Sequence, residues 1–341
     1  MFSARKSFRQ NMFGLLEFRR LTSNTNVNFV FPCNKLPSAQ DLPDRVRCCV
    51  SLGPLLDRSM DAEDILFDSL QTLYDYQPIT LTTQGSLFTY TSTTTTSTSN
   101  PDLTKDPISI TLRTPDTQPS NWSLHANSIW VSSIYLADHI VDLNLDFYFS
   151  SQEEKKIRIL ELGASAGLPS ILVAKLFPTS ALVTVTDYPD DKLIDTLKNN
   201  VQANNVADRC KVLPYAWGSD PTVVLGDGNS KGFDIVMAVD TLWNPELHPI
   251  FIDSLKSTLK KSSTSRIHLV VGLHTGRYTI QSFLTHIQSN SGLYVESISE
   301  REVTGSSTRL WNVFRSGEDD ERERRRWIIW MTLAWEKSII E

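Results

Sequence analysis

The feature that most constrains the fold is an alternation of short apolar strands and amphipathic helices, which begins at Ile157. IRILEL, ALVTVTD, CKVLPYAW, FDIVMAVD and RIHLVVGLH have the pattern of strands, and helical patterns follow the first, second, fourth and fifth of them. This alternation predicts a parallel sheet with helices on both faces. Two late strands, LYVESISE and WIIWMTLAW, lack a helix between them and are expected to pair antiparallel at one edge. We therefore predict an α/β, Rossmann-like doubly wound sheet of about seven strands with an antiparallel edge strand.

Small, acidic and aromatic residues follow four of these strands. Residues 163–167, Gly-Ala-Ser-Ala-Gly, follow the first strand, Asp187 closes the second, Trp217 follows the third and Asp240 closes the fourth. Ligands of doubly wound sheets bind at this carboxyl edge. Small residues let the backbone approach a ligand, and the helix that follows offers free N–H groups. Asp187, 20 residues beyond Gly167, is placed to accept hydrogen bonds from both hydroxyls of a ribose.

Three other interpretations of the small-residue turn are weighed. A dinucleotide-binding fingerprint has the spacing G-x-G-x-x-G, whereas Pro169 falls near the place of its third glycine. The letters G-x-S-x-G match a serine-hydrolase elbow, but alanines flank Ser165 and no Asp-then-His order stands out after it. An ordinary strand-to-helix turn is the third. A positive φ at Ser165 would be strained, and its hydroxyl is a candidate contact to a cofactor carboxylate.

Composition limits the class of protein. The 341 residues carry a net charge of −6, which argues against nucleic acid as the main partner. The four cysteines form no C-x-x-C pair, so a disulfide framework or a zinc site is not expected and a reducing, cytoplasmic location is. No apolar run approaches the roughly 20 residues of a membrane span.

Three regions are expected along the chain. Residues 1–59 form an irregular basic extension. It is either a mitochondrial presequence or an unstructured segment that precedes the true start of the protein at Met60. Residues 60–147 form an N-terminal cap segment with a Thr/Ser-rich loop at 89–100 and a helix over 128–145 that Ser128 caps. Residues 148–341 form the doubly wound domain.

The ordered motifs resemble a known family. ELGASAGLP, residues 161–169, is similar to the ELGAGAGLP of the seven-strand S-adenosylmethionine-dependent methyltransferases. TDYPD at 186–190, PYAWG at 214–218 and RERRRWIIWMTLAW at 322–335 resemble its nicotinamide N-methyltransferase-like group, and within it the fungal enzymes that modify elongation factor 1-alpha. The resemblance covers roughly residues 61–341.

The resemblance implies S-adenosyl-L-methionine as cofactor. The turn residues would line the methionine moiety of the cofactor, and Asp187 would bind its ribose. Trp217 would flank the adenine, and Val239 would line the side of methyl transfer. LHANSIW at 124–130 departs from the family's L-W-G-H-x-L-W, because His125 replaces the first tryptophan. The implied cofactor-binding residues are His125, Trp130, Glu161, Gly163, Ala164, Ser165, Gly167, Asp187, Trp217 and Val239.

The implied activity is methylation of the N-terminal amine and adjacent lysine of translation elongation factor 1-alpha. Asp240 is the candidate catalytic residue, placed to hold the ammonium near the sulfonium; its alternative role is to cap the helix at Asn244. Trp243 either lines an acceptor channel or belongs to the core, and His248 is expected on a helix surface without a role. A small-amine methyltransferase and a non-catalytic binding module are the alternative functions.

Overall fold

The computed structural model describes residues 77–92, 107–150, 156–226, 231–289, 291–317 and 319–340. The extension expected at 1–59 lies outside the described residues. The Thr/Ser-rich segment at 89–100 begins in a strand instead of a loop, because Thr89–Thr91 complete β1 (Leu87–Thr91). This strand pairs antiparallel with β2 (Ser109–Arg113) in a small separate sheet.

The main sheet has eight strands among the described residues, in the order β5-β4-β3-β6-β7-β10-β8-β9. In chain order they are β3 (Ile157–Leu162), β4 (Ala181–Asp187), β5 (Cys210–Pro214), β6 (Ile235–Val239), β7 (Arg266–Gly272), β8 (Leu293–Glu302), β9 (Thr308–Leu310) and β10 (Trp327–Trp335). Strands β3 to β7 pair in parallel. The predicted α/β, doubly wound fold is confirmed.

The antiparallel end of the sheet is more elaborate than the sequence indicated. β10 lies between β7 and β8 and runs antiparallel to both. It is therefore two places inside the edge, which β9 forms. β9 adds an eighth strand beyond β8. Its three residues, TRL, are too few to show a strand period in the sequence.

Helices cover both faces of the main sheet because alternate side chains of each strand point to opposite faces. Ile159 of β3 packs in one core with α1, α3 and α4, while its neighbour Leu160 packs in the other with α6 and α7. The helices are α1 (Val131–Asp138), α2 (Leu145–Ser150), α3 (Leu168–Leu176), α4 (Asp191–Ala203), α5 (Thr222–Leu225), α6 (His248–Thr258), α7 (Arg277–Gln288), α8 (Glu321–Arg325) and α9 (Lys337–Ile340). None of the helices in the described part of the chain is long and apolar enough to cross a membrane.

The helix predicted over 128–145 is wrong at both ends. Ile129 and its neighbours are extended, because they pair with residues 79–82: the Leu81 N–H donates to the Ile129 carbonyl at 2.9 Å, and the Val131 N–H to the Ile79 carbonyl at 3.0 Å. Ser128 therefore caps nothing, and α1 begins at Val131. The helix ends at Asp138, and a 3-10 turn follows it.

Two asparagines, one in α4 and one at its C-terminal cap, bind the small sheet to this helix of the main domain. The Asn200 side chain accepts from the Arg113 N–H at 2.8 Å and donates to the Arg113 carbonyl at 2.9 Å. Asn204 makes the same pair of bonds with Thr111. These amides satisfy an edge of β2 that lacks a strand neighbour. Asn200 also donates to the Ala166 carbonyl at 3.0 Å, so it joins β2 to the small-residue turn.

A buried ion cluster holds α7 against β8. Arg277 donates to both carboxylate oxygens of Glu300 at 2.6 and 2.9 Å, and it also bonds Asp319. Glu300 also accepts from Arg309 at 2.7 Å and Arg315 at 2.9 Å. Burial alone would raise the pKa of Glu300, but these guanidinium groups, with Arg277 foremost, hold it below its ordinary value.

We predict that Glu300→Gln lowers the free energy of unfolding by about 3–5 kcal/mol, because it leaves buried guanidinium groups without their counter-charge. Urea unfolding followed by circular dichroism measures this loss. The matched control is Lys198→Ala, which removes an exposed ion pair with Asp195 and should cost less than about 1 kcal/mol. Equal losses in the two variants would contradict the prediction.

Candidate active site

One cavity of about 520 Å³ opens at the carboxyl ends of β3, β4 and β6. All the site residues predicted from sequence line it: His125, Trp130, Glu161, Gly163, Ala164, Ser165, Gly167, Asp187, Trp217, Val239 and Asp240. These residues are far apart in the sequence, from His125 to Asp240, yet they meet at one edge of the sheet. Ligands of doubly wound sheets bind at this edge, where the parallel strands end.

The turn after β3 is held against the end of β4. The N–H groups of Gly163 and Ala164 both donate to the Thr186 carbonyl at 3.0 Å. Gly163 has φ +72°, and a Cβ there would lie 3.1 Å from Thr241 and 3.3 Å from the Trp217 ring. Only glycine suits this position, because the φ angle is positive and because neighbouring side chains leave no room for a Cβ. The turn ends at Gly167, which precedes the first residue of α3.

Ser165 has the left-handed backbone, φ +51°, that the sequence analysis identified as strained. Its N–H donates to Asp187 Oδ2 at 2.6 Å. Its hydroxyl donates to the Ala126 carbonyl at 2.7 Å instead of projecting freely into the cavity. These two bonds offset the strain and explain what a serine does there: it ties the turn to the N-terminal wall of the cavity.

Glu161 lies beneath the turn and is buried. Its Oε2 accepts from the Ser170 N–H at 3.2 Å and from the Ser170 hydroxyl, which fastens the first turn of α3 to β3. Burial raises the pKa of Glu161 to about 8. Through these hydrogen bonds Glu161 holds the start of α3 in place, and it also lines the cavity.

Asp187 is buried at the end of β4, and it faces the cavity. Its two oxygens accept one backbone N–H each, from Ser165 at 2.6 Å and from Tyr188 at 2.7 Å. Burial raises its pKa to about 6, although both N–H groups oppose this rise. A carboxylate offers about four lone-pair sites, so two further hydrogen bonds can be accepted from a ligand.

The N-terminal wall of the cavity is aromatic. His125 has φ +53° at the end of a 3-10 turn, Pro119–Leu124. The Trp130 indole donates to the His125 carbonyl at 3.0 Å. The His125 ring meets Trp130 edge-on at 6.4 Å and Trp243 edge-on at 5.1 Å. Trp243 therefore lines the cavity, as one of its two interpretations expected.

The opposite wall carries Trp217 and Val239. The Trp217 ring packs at 4.5 Å against Phe251 of α6, which fixes the indole beside the turn. Val239 is the last residue of β6, half-buried at the cavity. Both residues thus line the cavity, and the adenine side for Trp217 and the methyl-transfer side for Val239 stay predictions.

Asp240 directly follows β6 with φ +51°. Its Oδ1 accepts from the Gly272 N–H at 2.7 Å, while its Oδ2 is buried without a hydrogen-bond partner. The alternative role as a helix cap is wrong, because the Asn244 side chain itself accepts from the Glu246 N–H. A buried carboxylate oxygen without a partner is costly, and it is the strongest sign of a ligand contact in the cavity.

Two histidines differ from the sequence expectation. His248 is not on a helix surface: it is 1% exposed, and its Nε2 bonds the Leu242 carbonyl at 3.1 Å. Burial lowers its pKa. His274, for which no role was predicted, lines the cavity and stacks on Trp130 with a ring-centroid distance of 5.4 Å and an interplanar angle of 12°. Its position after β7, at the same edge as Asp240, was the available signal.

The sheet order, the small-residue turn and the acid after β4 are those of an S-adenosylmethionine-dependent methyltransferase. The sequence profile described as lysine methyltransferase matches residues 117–290, half of the chain. The chain belongs to this lysine methyltransferase family.

Curated relatives are fungal proteins named protein N-terminal and lysine N-methyltransferase efm7. The one from Schizosaccharomyces pombe is 34% identical over 187 residues, which cover 53% of this chain and 70% of the relative. Those from Neurospora crassa and Gibberella zeae are each 29% identical and cover 43% and 42% of this chain. The chain spans only 53% and 60% of these two relatives' lengths.

A solved structure, the N-terminal domain of human METTL16 in complex with SAH, matches with a TM-score of 0.39 and 15% identity. The match covers 58% of this chain and 68% of that domain. The fold assignment therefore rests on the strand order and on the family profile.

We predict that Glu161→Gln stabilises the cofactor-free protein increasingly as the pH rises. The pKa of Glu161 is raised in the fold from 4.5 to about 8. The protonated Glu161 carboxyl therefore contributes to the free energy of unfolding fully below pH 4.5, and this contribution is lost as the pH rises towards 8. Thermal unfolding of both proteins between pH 5 and pH 8.5 measures the difference in midpoint.

The control is Glu246→Gln, at an exposed position of the chain, which should shift the midpoint equally at every pH. A constant difference for Glu161→Gln as well would show that Glu161 ionises freely in the folded protein.

Proposed function

We propose that this chain transfers methyl groups from S-adenosylmethionine to amines of a protein, namely the N-terminal amine and the adjacent lysine of translation elongation factor 1-alpha. The names of the fungal relatives support an N-terminal and lysine acceptor. The observation that carries the proposal is Asp240, a residue that lines the cavity and whose Oδ2 is buried without a hydrogen-bond partner. A cytoplasmic location is part of the proposal.

The residues present fit the cofactor. Gly163 keeps the turn open where a Cβ would crowd Trp217, and the turn would line the methionine moiety. Asp187 retains lone pairs for the ribose hydroxyls, and Trp217 would flank the adenine. Val239 would face the methyl-transfer side. On the N-terminal wall, the corresponding contacts are His125 and Trp130.

The chain's task in the reaction is to orient a neutral amine. When bound, S-adenosylmethionine supplies a methyl group on a sulfonium, which already contains the leaving group. A free α-amine, with a pKa of about 7.7, is roughly one-sixth neutral at pH 7, but a free lysine is neutral in less than about one molecule in a thousand. Aromatic walls around the amine favour its neutral form by desolvation, and Asp240 Oδ2 would hold one of its N–H groups.

A small-amine methyltransferase of the nicotinamide type is the second candidate. It is favoured by aromatic rings that line the cavity, among them those of His125, Trp130, Trp243 and His274. A non-catalytic binding module is the third candidate, because Ser165 and His125 depart from the motifs of the family. Ser165 instead makes two hydrogen bonds that hold the site together, which weakens that ground.

One experiment separates these functions. The purified chain is incubated with methyl-labelled cofactor and fungal cytosolic extract, and protein and small-molecule fractions are counted. We expect label in a protein of the size of elongation factor 1-alpha, at its N-terminal peptide by mass spectrometry. Label only in small molecules would support the second candidate, and a folded chain that fails to bind cofactor in calorimetry would overturn both enzymatic functions.

We predict that Asp187→Asn weakens cofactor binding by about 1.5–3 kcal/mol, because a charge-assisted bond to the ribose is lost. In the wild type, affinity should fall as the pH drops from 7.5 to 5, since the pKa of Asp187 is about 6 and its acceptor form is lost below it. Titration calorimetry at several pH values measures both effects. Asp195→Asn, at an exposed position of α4, is the control; equal affinities for the two variants would overturn the ribose role.

We predict that Asp240→Asn lowers kcat about 100-fold, because a misplacement of the reacting amine costs about that factor in rate, and leaves cofactor affinity within about twofold. Asparagine accepts a left-handed φ readily and can still accept from the Gly272 N–H, so the fold should survive. Steady-state methylation of a peptide substrate gives kcat. The control is Asp253→Asn, at an exposed position of α6; a normal kcat in Asp240→Asn would refute the catalytic role.

A further inference from the structure

His274 occupies a position at the cavity that the proposed reaction does not yet use. It lies in the 3-10 turn Leu273–Thr275, directly after β7. Its ring stacks on Trp130 at 5.4 Å with an interplanar angle of 12°, so its plane is fixed. The stacking joins the N-terminal wall of the cavity to the carboxyl end of β7.

The His274 ring lies beside Asp240, over Gly272. A methyl group placed on Gly272 would overlap with the imidazole and would lie 3.3 Å from Asp240 Oδ1. Gly272 has φ −66°, a value that every residue type adopts. The backbone therefore does not require glycine there, and the space for the His274 ring does.

Neither ring nitrogen of His274 has a hydrogen-bond partner among the described residues. The neighbouring Asp240 Oδ2 also lacks one. A neutral imidazole presents one nitrogen as an acceptor. Two acceptors without partners thus stand at the ends of adjacent strands, β6 and β7, in the wall of one cavity.

We propose that His274 is the second hydrogen-bond acceptor for the substrate amine, and that it works together with Asp240 Oδ2. This rests on the proposed function. A neutral primary amine has two N–H groups and one lone pair; two acceptors that hold the N–H groups leave the lone pair directed at the methyl carbon. The ammonium first gives one proton to water. The lone pair then forms the N–C bond, and the C–S bond breaks with its electron pair remaining on sulfur.

Orientation of this kind acts on the rate of transfer more than on binding, because a small misplacement of the reacting atoms costs about 100-fold in rate. We expect His274→Ala to lower kcat by about 30- to 100-fold and to leave cofactor affinity and the KM for the peptide within about twofold. His274→Asn offers an amide oxygen as acceptor and should recover part of the lost kcat. A ring that served only to pack on Trp130 would not give this rescue.

Gly272→Ala provides an independent test, since its methyl group displaces the ring without removing it. We expect a loss of kcat similar to that of His274→Ala, and the double variant should lose no more than either single variant. Gly317→Ala is the matched glycine control, because a Cβ there meets nothing within 4 Å. His286→Ala is the matched histidine control, at an exposed position of α7.

The measurements use the full chain, methyl-labelled cofactor, a peptide with the N-terminal sequence of the substrate, and calorimetry of cofactor binding for every variant. An active wild type with an unimpaired His274→Ala variant would overturn the acceptor role of His274 alone. Additive losses in the double variant would show that Gly272 acts by another route, and would overturn the inference that Gly272 makes space for the His274 ring. A wild type that binds cofactor and transfers no methyl group would overturn the proposed function itself.

Discussion

The parallel pairing of β3 with both β4 and β6 is the constraint on which the site depends. Parallel strands end at the same edge, so the turn after β3 is brought beside the acids that close β4 and β6. Backbone bonds complete the arrangement: the Thr186 carbonyl holds Gly163 and Ala164, and the Asp187 carboxylate holds the Ser165 N–H. Without this register, Asp187 and Asp240 would be ordinary acids at the ends of separate strands.

The fold class could be predicted from the sequence because the apolar residues of each central strand indicate that the strand is buried on both faces. Ile159 and Leu160 are both fully buried, on opposite faces, and such continuous apolar strands are typical of sheets covered on both sides. The antiparallel end was harder to predict. β9 is three residues long, and the position of β10 between β7 and β8 follows from packing between distant segments, which no local period records.

The site was predictable wherever a residue's place along a strand decided its place in space. Asp187 and Asp240 are the last residue of β4 and the residue just after β6, so topology alone put them at the cavity. His274 obeys the same rule after β7, but an isolated histidine has no spacing partner to mark it. The Ser165 hydroxyl bonds Ala126, 39 positions earlier, and a local pattern has no means of encoding a tether of that length. The sequence suggested that this hydroxyl reaches the cofactor, and the structure shows it occupied elsewhere.

The insertion of β10 between β7 and β8 has a consequence for how the protein is made. The first five strands of the main sheet, β3 to β7, leave the ribosome in order and can pair as they emerge. β8 then emerges without a place beside β7, because β10, which lies between the two strands, begins 25 residues after the end of β8. The open edge of β7 must therefore wait, exposed to other chains, until β10 arrives. During synthesis this edge is therefore open to pairing with a strand of another chain.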